Sequence, residues 1–130
     1  MYVWHEMART LKDGSIVIPP YYLNSIRNEN AGIIPDRFFI RSAYFPSDFR
    51  FLELWDRRPE GPTNCIDVMV IKERKKEMHC LKADSLLSSY LGRDSEVMFF
   101  GNITHMNLWS LAEWKRFDEY PIRGSLADYL

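Results

Sequence analysis

The feature that most constrains this chain is that its pattern of segments occurs twice. Leu54-Trp55 ends one run, and Leu108-Trp109 ends a second run 54 positions later. Each run reads strand, turn, strand, short helix, strand, strand. A repeated order of this kind weighs heavily on architecture, because each unit is one supersecondary piece that needs its neighbour to bury an apolar face. With 130 residues there is room for one domain or two small half-domains. The segment Arg57-Arg58-Pro59-Glu60-Gly61-Pro62 holds two prolines and a glycine, and is the linker-like stretch. The expected organisation is a first half over 1–60, a second half over 61–117 and a tail over 118–130.

The individual segments follow from local chemistry. Trp4 and Met7 anchor a first strand, with Tyr2 ahead of them. Asp13-Gly14 is a hairpin signal, since both residue types tolerate positive φ. Ser15-Ile16-Val17-Ile18 is β-branched, and Pro19-Pro20 ends it and opens a helix to Asn28. Arg37–Tyr44 and Phe49–Asp56 read as strands joined across Phe45-Pro46-Ser47-Asp48. In the second half, strands over 66–71 and 78–83 flank the charged turn 72–77. Asp84 is a candidate N-cap, a helix runs to Leu91, and Gly92 terminates it. Strands at 96–101 and 106–109 follow, and Ser110 with Glu113 has the spacing of a capping box. With 15% aromatic residues and this element order, the expected class is mainly β with short helices, α+β.

Charge and cysteine content narrow the function. Seventeen Lys+Arg against eighteen Asp+Glu leave a formal net charge of −1, so the total announces no polybasic nucleic-acid or membrane binder. No window approaches the length of a transmembrane helix, and Met1–Met7 lacks the pattern of a secretory signal. Asn102-Ile103-Thr104 therefore reads as a sequon without a secretory context. Cys65 and Cys80 are expected as thiols of a cytoplasmic protein.

Several motifs carry a resemblance. Leu11-Lys12-Asp13-Gly14-Ser15-Ile16-Val17-Ile18-Pro19 resembles the swapped-hairpin segment of AbrB-type transcription factors. Glu96-Val97-Met98-Phe99-Phe100-Gly101, then Leu108-Trp109 and Trp114, is similar to the ending of the MraZ family of bacterial regulators. The pattern spans nearly the whole chain, with 84–117 its most specific part. The resemblance implies a duplicated swapped-hairpin β-barrel, assembly into a homo-oligomer and binding of double-stranded DNA, with a cytoplasmic, nucleoid-associated location. The family's Asp and Arg, four apart in each hairpin turn, are replaced here by Leu11 and Ser15 and by Lys76 and Cys80. Base recognition is therefore not carried over by any residue.

Contacts with DNA phosphates are still expected from charge placement. Lys72, Arg74, Lys75 and Lys76 cluster in the second turn, and Arg9 and Lys12 flank the first. A cationic hairpin can enter a major groove or track phosphates. If the two tips adjoin, they form one basic edge. The plain alternative is a solvated charged turn, in a diverged module that binds proteins instead. Tyr21, Tyr22, Tyr44, Phe45, Phe49 and Phe51 would supply such an interface where they escape the core, and the tail could hold a partner. His5, His79, His105, Cys65 and Cys80 lack the spacing of a metal site, and His79 and Cys80 point to opposite faces of one strand. No nucleotide-binding loop, nucleophile elbow or paired carboxylates are present, so neither cofactor nor enzymatic activity is expected.

Overall fold

A computed structural model describes residues 4–44, 48–59, 65–73, 78–82, 85–102 and 105–119, with the backbone alone for 65–73, 85 and 86. Eight strands and three short helices follow in the order β1 (Trp4–Arg9), β2 (Ile16–Val17), α1 (Pro20–Glu29), β3 (Arg37–Tyr44), β4 (Arg50–Trp55), β5 (Cys65–Glu73), β6 (Met78–Leu81), α2 (Ser85–Leu91), β7 (Glu96–Gly101), β8 (Met106–Ser110) and α3 (Leu111–Asp118). Tyr2, the turn residues Phe45 to Ser47, the linker residues 60–64, Asp84 and the tail from Tyr120 lie outside the described residues.

The strands form one antiparallel sheet in the order β1-β7-β8-β4-β3-β5-β6-β2. This order carries the duplication. Exchanging β1 with β5, β2 with β6, β3 with β7 and β4 with β8 maps every observed pairing but β5–β6 onto another observed pairing or onto itself. The register obeys the same exchange: Leu52↔Leu108 maps onto Leu54↔Met106, and Glu53↔Asn107 maps onto itself. The pseudo-twofold therefore passes through Glu53 and Asn107. The halves are interleaved, since β1–β7, β2–β6, β3–β5 and β4–β8 all join residues of the first to residues of the second. Neither half has a sheet of its own.

The one broken pairing corrects an expectation. The hairpin predicted around Asp13-Gly14 forms only its turn. Gly14 takes φ 89°, the Asp13 carboxylate accepts the Ser15 N–H at 2.8 Å, and the Leu11 N–H donates to Ser15 O at 2.8 Å. Beyond that bond the arms part. Thr10 N–H goes to Ser95 O at 2.8 Å, while Ile16 pairs with Leu81. The reason is Thr10, which is buried against the 92–95 turn: its hydroxyl donates to Gly92 O at 3.1 Å and accepts the Ser95 N–H at 2.9 Å. No β1–β2 pairing occurs among the described residues, so the sheet is not closed into a barrel.

Strand alternation puts the core on one face. Phe38, Ile40, Leu52, Leu54, Val97, Phe99, Met106 and Leu108 pack with Ile16, Ile18 and the buried sides of α1 and α2. Pro20 starts α1 at a position where its missing N–H costs nothing, and Tyr22, Leu23 and Ile26 turn inward. Tyr22 donates to Leu54 O at 3.2 Å, and burial pushes its phenol far above the ordinary range. Gly101 gives the Trp4 indole its place across the β1–β7 pair, since a Cβ there would overlap the ring.

Candidate functional site

The outer face of the sheet is divided by the pseudo-twofold, and its two halves differ. On one side Phe51 stacks on Trp109 across the β4–β8 pair, with ring centroids 4.9 Å apart and planes 14° apart. Helix α3 covers this stack. Trp114 packs against Phe100 at 4.7 Å, and Phe117 against Phe49 at 5.0 Å and Trp109 at 5.4 Å. Ser110 caps α3 by accepting the Glu113 N–H at 3.2 Å. The second bond of the expected capping box is replaced: the Glu113 carboxylate accepts from the Arg50 N–H at 3.0 Å and from Arg116 at 2.7 Å. Burial alone would raise Glu113, but these donors hold its pKa below the ordinary value.

The exchange of halves maps Phe51 onto His105, Trp109 onto Trp55 and Phe100 onto Arg41. The second stack is present in the same geometry, with Trp55 and His105 4.3 Å and 11° apart. Its surroundings are polar instead of apolar. Glu53 accepts from Arg41 at 2.5 Å and from the Trp55 indole at 3.1 Å, and its other oxygen lies 3.7 Å from His105. Asn102 meets His105 at 3.1 Å. Burial lowers the His105 pKa, with Glu53 pulling it up and Arg41 pushing it down, so the ring is neutral near pH 7. Beside this cluster, Arg41, Trp55, Arg57, Arg58 and Pro59 line a cleft of about 380 Å³. Arg57 pairs with Asp56 at 3.4 Å and Glu29 at 3.2 Å, and Arg58 lies 4.9 Å over Phe39.

Among the described residues no helix lies over this second stack, and Pro59 disfavours one that begins at the equivalent position. It occupies the position equivalent to Glu113, whose N–H satisfies the Ser110 cap. A proline there has no N–H to give and also disfavours helical φ/ψ at Arg58. Asp56, at the equivalent of Ser110, has the right side chain for a cap but no helix to cap.

Of the residues expected to contact DNA, Arg9, Lys12 and the Lys72 backbone lie among the described residues. Arg9 is exposed on β1, but it is engaged by Asp94 O at 2.5 Å, by the Asp94 carboxylate at 3.5 Å and by Glu96 at 3.7 Å. Lys12 is exposed in the 11–15 turn. Lys72 lies in β5 opposite His79, and Arg74, Lys75 and Lys76 fall outside the described residues. The described ends of the two arms meet β6 at different places. The first leads into Ile16, which pairs with Leu81 at the end of β6, whereas the β5–β6 arm ends at Glu73↔Met78 at the start of β6. Opposite strand directions therefore set Arg9 and Lys12 apart from the Lys72 arm.

The outer-face cluster was not foreseen from sequence. Part of its signal was available in the duplication, because aligning Trp55 with Trp109 sets His105 against Phe51, whereas the equivalence of Arg41 with Phe100 emerges only from the strand pairing. Among the described residues no group of His, Cys, Asp and Glu is arranged to hold a metal, and no helix is long and apolar enough to cross a membrane. Compared with protein-family models, curated proteins and solved structures, the chain matches none.

Proposed function

We propose that the chain is a duplicated swapped-hairpin protein of the AbrB/MraZ type that binds duplex DNA through its β5–β6 arm. The fold reading is supported by the pairing order, which interleaves the halves and maps onto itself when they are exchanged. The observation that carries the DNA reading is the length of that arm. Measured between core-facing equivalents, from Ala8 to Ile16 in the first hairpin and from Val68 to Leu81 in the second, the second hairpin is five residues longer than the first. Those extra residues belong to the run holding Lys72, Arg74, Lys75 and Lys76, so the arm is the longer and the more basic of the two. Arg9 and Lys12 take no part in the same contact, being at the other end of β6 and, for Arg9, already held by two carboxylates. Duplex DNA presents closely spaced phosphates, and four cations on a two-stranded ribbon suit its groove.

The test is binding of the purified protein to a fluorescent duplex taken from upstream of its own gene, beside scrambled DNA, over a range of salt. Log affinity should fall with log salt by about 0.9 per phosphate contacted. Changing Lys72, Arg74, Lys75 and Lys76 together to Ala should abolish binding, or flatten that slope by about 3 to 4, with the fold intact. Equal, weak affinity for both DNAs, unchanged in the quadruple variant, would reject the reading. A second reading, an assembly module of the same fold without DNA affinity, is favoured by exposed Met7, Tyr21, Ile33 and Tyr44.

A further inference from the structure

We infer that Glu53 and Asn107, which face each other across the pseudo-twofold, direct the two halves of the chain to pair with each other. They keep either half from pairing with the identical half of a second copy. This inference does not depend on DNA binding. In the sheet the halves meet through β2–β6 and β4–β8, which join equivalent strands, and through β1–β7 and β3–β5, which the exchange of halves interconverts. Each half therefore offers a second copy the same strand edges that it offers its partner within the chain.

The apolar contacts do not separate the two outcomes. Leu52 lies opposite Leu108, Leu54 opposite Met106 and Ile16 opposite Leu81, all within the core. With identical halves these contacts would become Leu52 with Leu54, Met106 with Leu108, Ile16 with Ile16 and Leu81 with Leu81. Exchanges among Leu, Met and Ile conserve volume and cost little, so this core would accept either partner.

The polar contacts do separate them. Glu53 lies opposite Asn107, and both are buried. Two first halves would set Glu53 against Glu53. Like charges directly opposite on neighbouring strands repel, and more strongly out of water. Arg41 does not relieve this, because it belongs to the same half and already holds its own Glu53. Two second halves would set Asn107 against Asn107 and move His105 onto Trp109. There the imidazole would lose the Glu53 oxygen it faces at 3.7 Å and join Trp109 against Trp114 and Phe117 of α3. Only the pairing of different halves gives the carboxylate an uncharged amide across the axis and an imidazole beside it. A buried Asn in a coiled coil acts in the same way, fixing register and partner at a cost in stability.

The experiment uses the full chain. Isotope-labelled and unlabelled protein are unfolded together in urea, refolded and brought to millimolar concentration, the order of the effective concentration that a short linker gives its two ends. Isotope-filtered NOEs between methyl groups then report what Leu52 faces in another copy. The native chain should show no contact between Leu52 of one copy and Leu54 of another. Glu53→Asn with His105→Phe, which copies Asn107 and Phe51 into the equivalent positions, should show that contact, with self-association in sedimentation strengthened about tenfold or more. Glu53→Gln keeps the shape of the side chain, should show the same contact, and stands in if the double variant does not fold. The inference is overturned if the native chain shows the Leu52–Leu54 contact between copies, or if the folded variants show none. It is equally overturned if their contacts between copies are Leu52–Leu108 alone, since the halves would then choose their different partner without the Glu53 charge.

Discussion

Replacing Glu53 with Gln tests the polar cluster at the pseudo-twofold. The side chain keeps its shape and an acceptor oxygen for the Trp55 indole, so the change isolates charge. In the native protein Glu53 is 12% exposed and receives Arg41, itself 25% exposed, at 2.5 Å, with His105 at 3.7 Å from the other oxygen. Breaking a fully buried pair costs about 3–5 kcal/mol because the remaining charge has no compensation. Arg41 retains some contact with water, which reduces that figure, and a charge-assisted hydrogen bond alone is worth about 1.5–3 kcal/mol. The expected loss is therefore about 2 kcal/mol, read as a lower midpoint in urea at unchanged slope. Arg41→Met in the same background should recover part of it, with a coupling of about 1–2 kcal/mol in a double-mutant cycle. A Glu53→Gln loss below about 0.5 kcal/mol, or strictly additive single effects, would refute the claim that this pair is an internal one.

Two further outcomes follow from the geometry. Burial lowers the His105 pKa, so the unfolded chain, with an imidazole near about 6.5, binds more protons than the native state in the window below that value. Stability should accordingly fall as pH drops from about 6.5 toward the lower native pKa, and His105→Phe, which copies Phe51, should remove that component of urea-midpoint curves measured against pH. Gly101→Ala should displace the Trp4 indole from the edge of the core, at a cost of about 1–3 kcal/mol as for other overpacked sites, with a change in tryptophan emission as the signature.

Much of the fold was legible because the local signals are strong. Arg37–Tyr44 and Glu96–Gly101 are strands over the expected residues, and Pro19-Pro20, Gly92 and Ser110 punctuate the helices as their chemistry demands. The β1–β2 hairpin failed for a reason that local sequence does not hold. Asp13-Gly14 makes the turn, but the buried hydroxyl of Thr10 ties the first arm to residues 92–95, some eighty positions away. The capping box failed similarly, since Glu113 found the Arg50 amide across the structure rather than the amide of its own cap.

The candidate sites divide along the same line. A cluster such as Lys72 to Lys76 is visible in sequence because its members are neighbours in the chain. Whether two such clusters adjoin depends on strand direction, and opposite directions place Arg9 and Lys12 at the other end of β6. The Arg41, Glu53, Trp55 and His105 cluster joins three segments, and nothing in any one of them marks it.

From sequence alone came the duplication, the strand and helix positions, the dominance of β structure and the absence of polybasic character. These depend on alternation, turn chemistry and composition, which act over a few residues. The tertiary structure alone decided that the halves interleave, that the sheet stays open between β1 and β2, and that one aromatic stack lies under α3 while its twin is set among polar groups. Those outcomes rest on pairings between distant residues, where a single buried hydroxyl such as that of Thr10 selects among arrangements that the local pattern leaves equivalent.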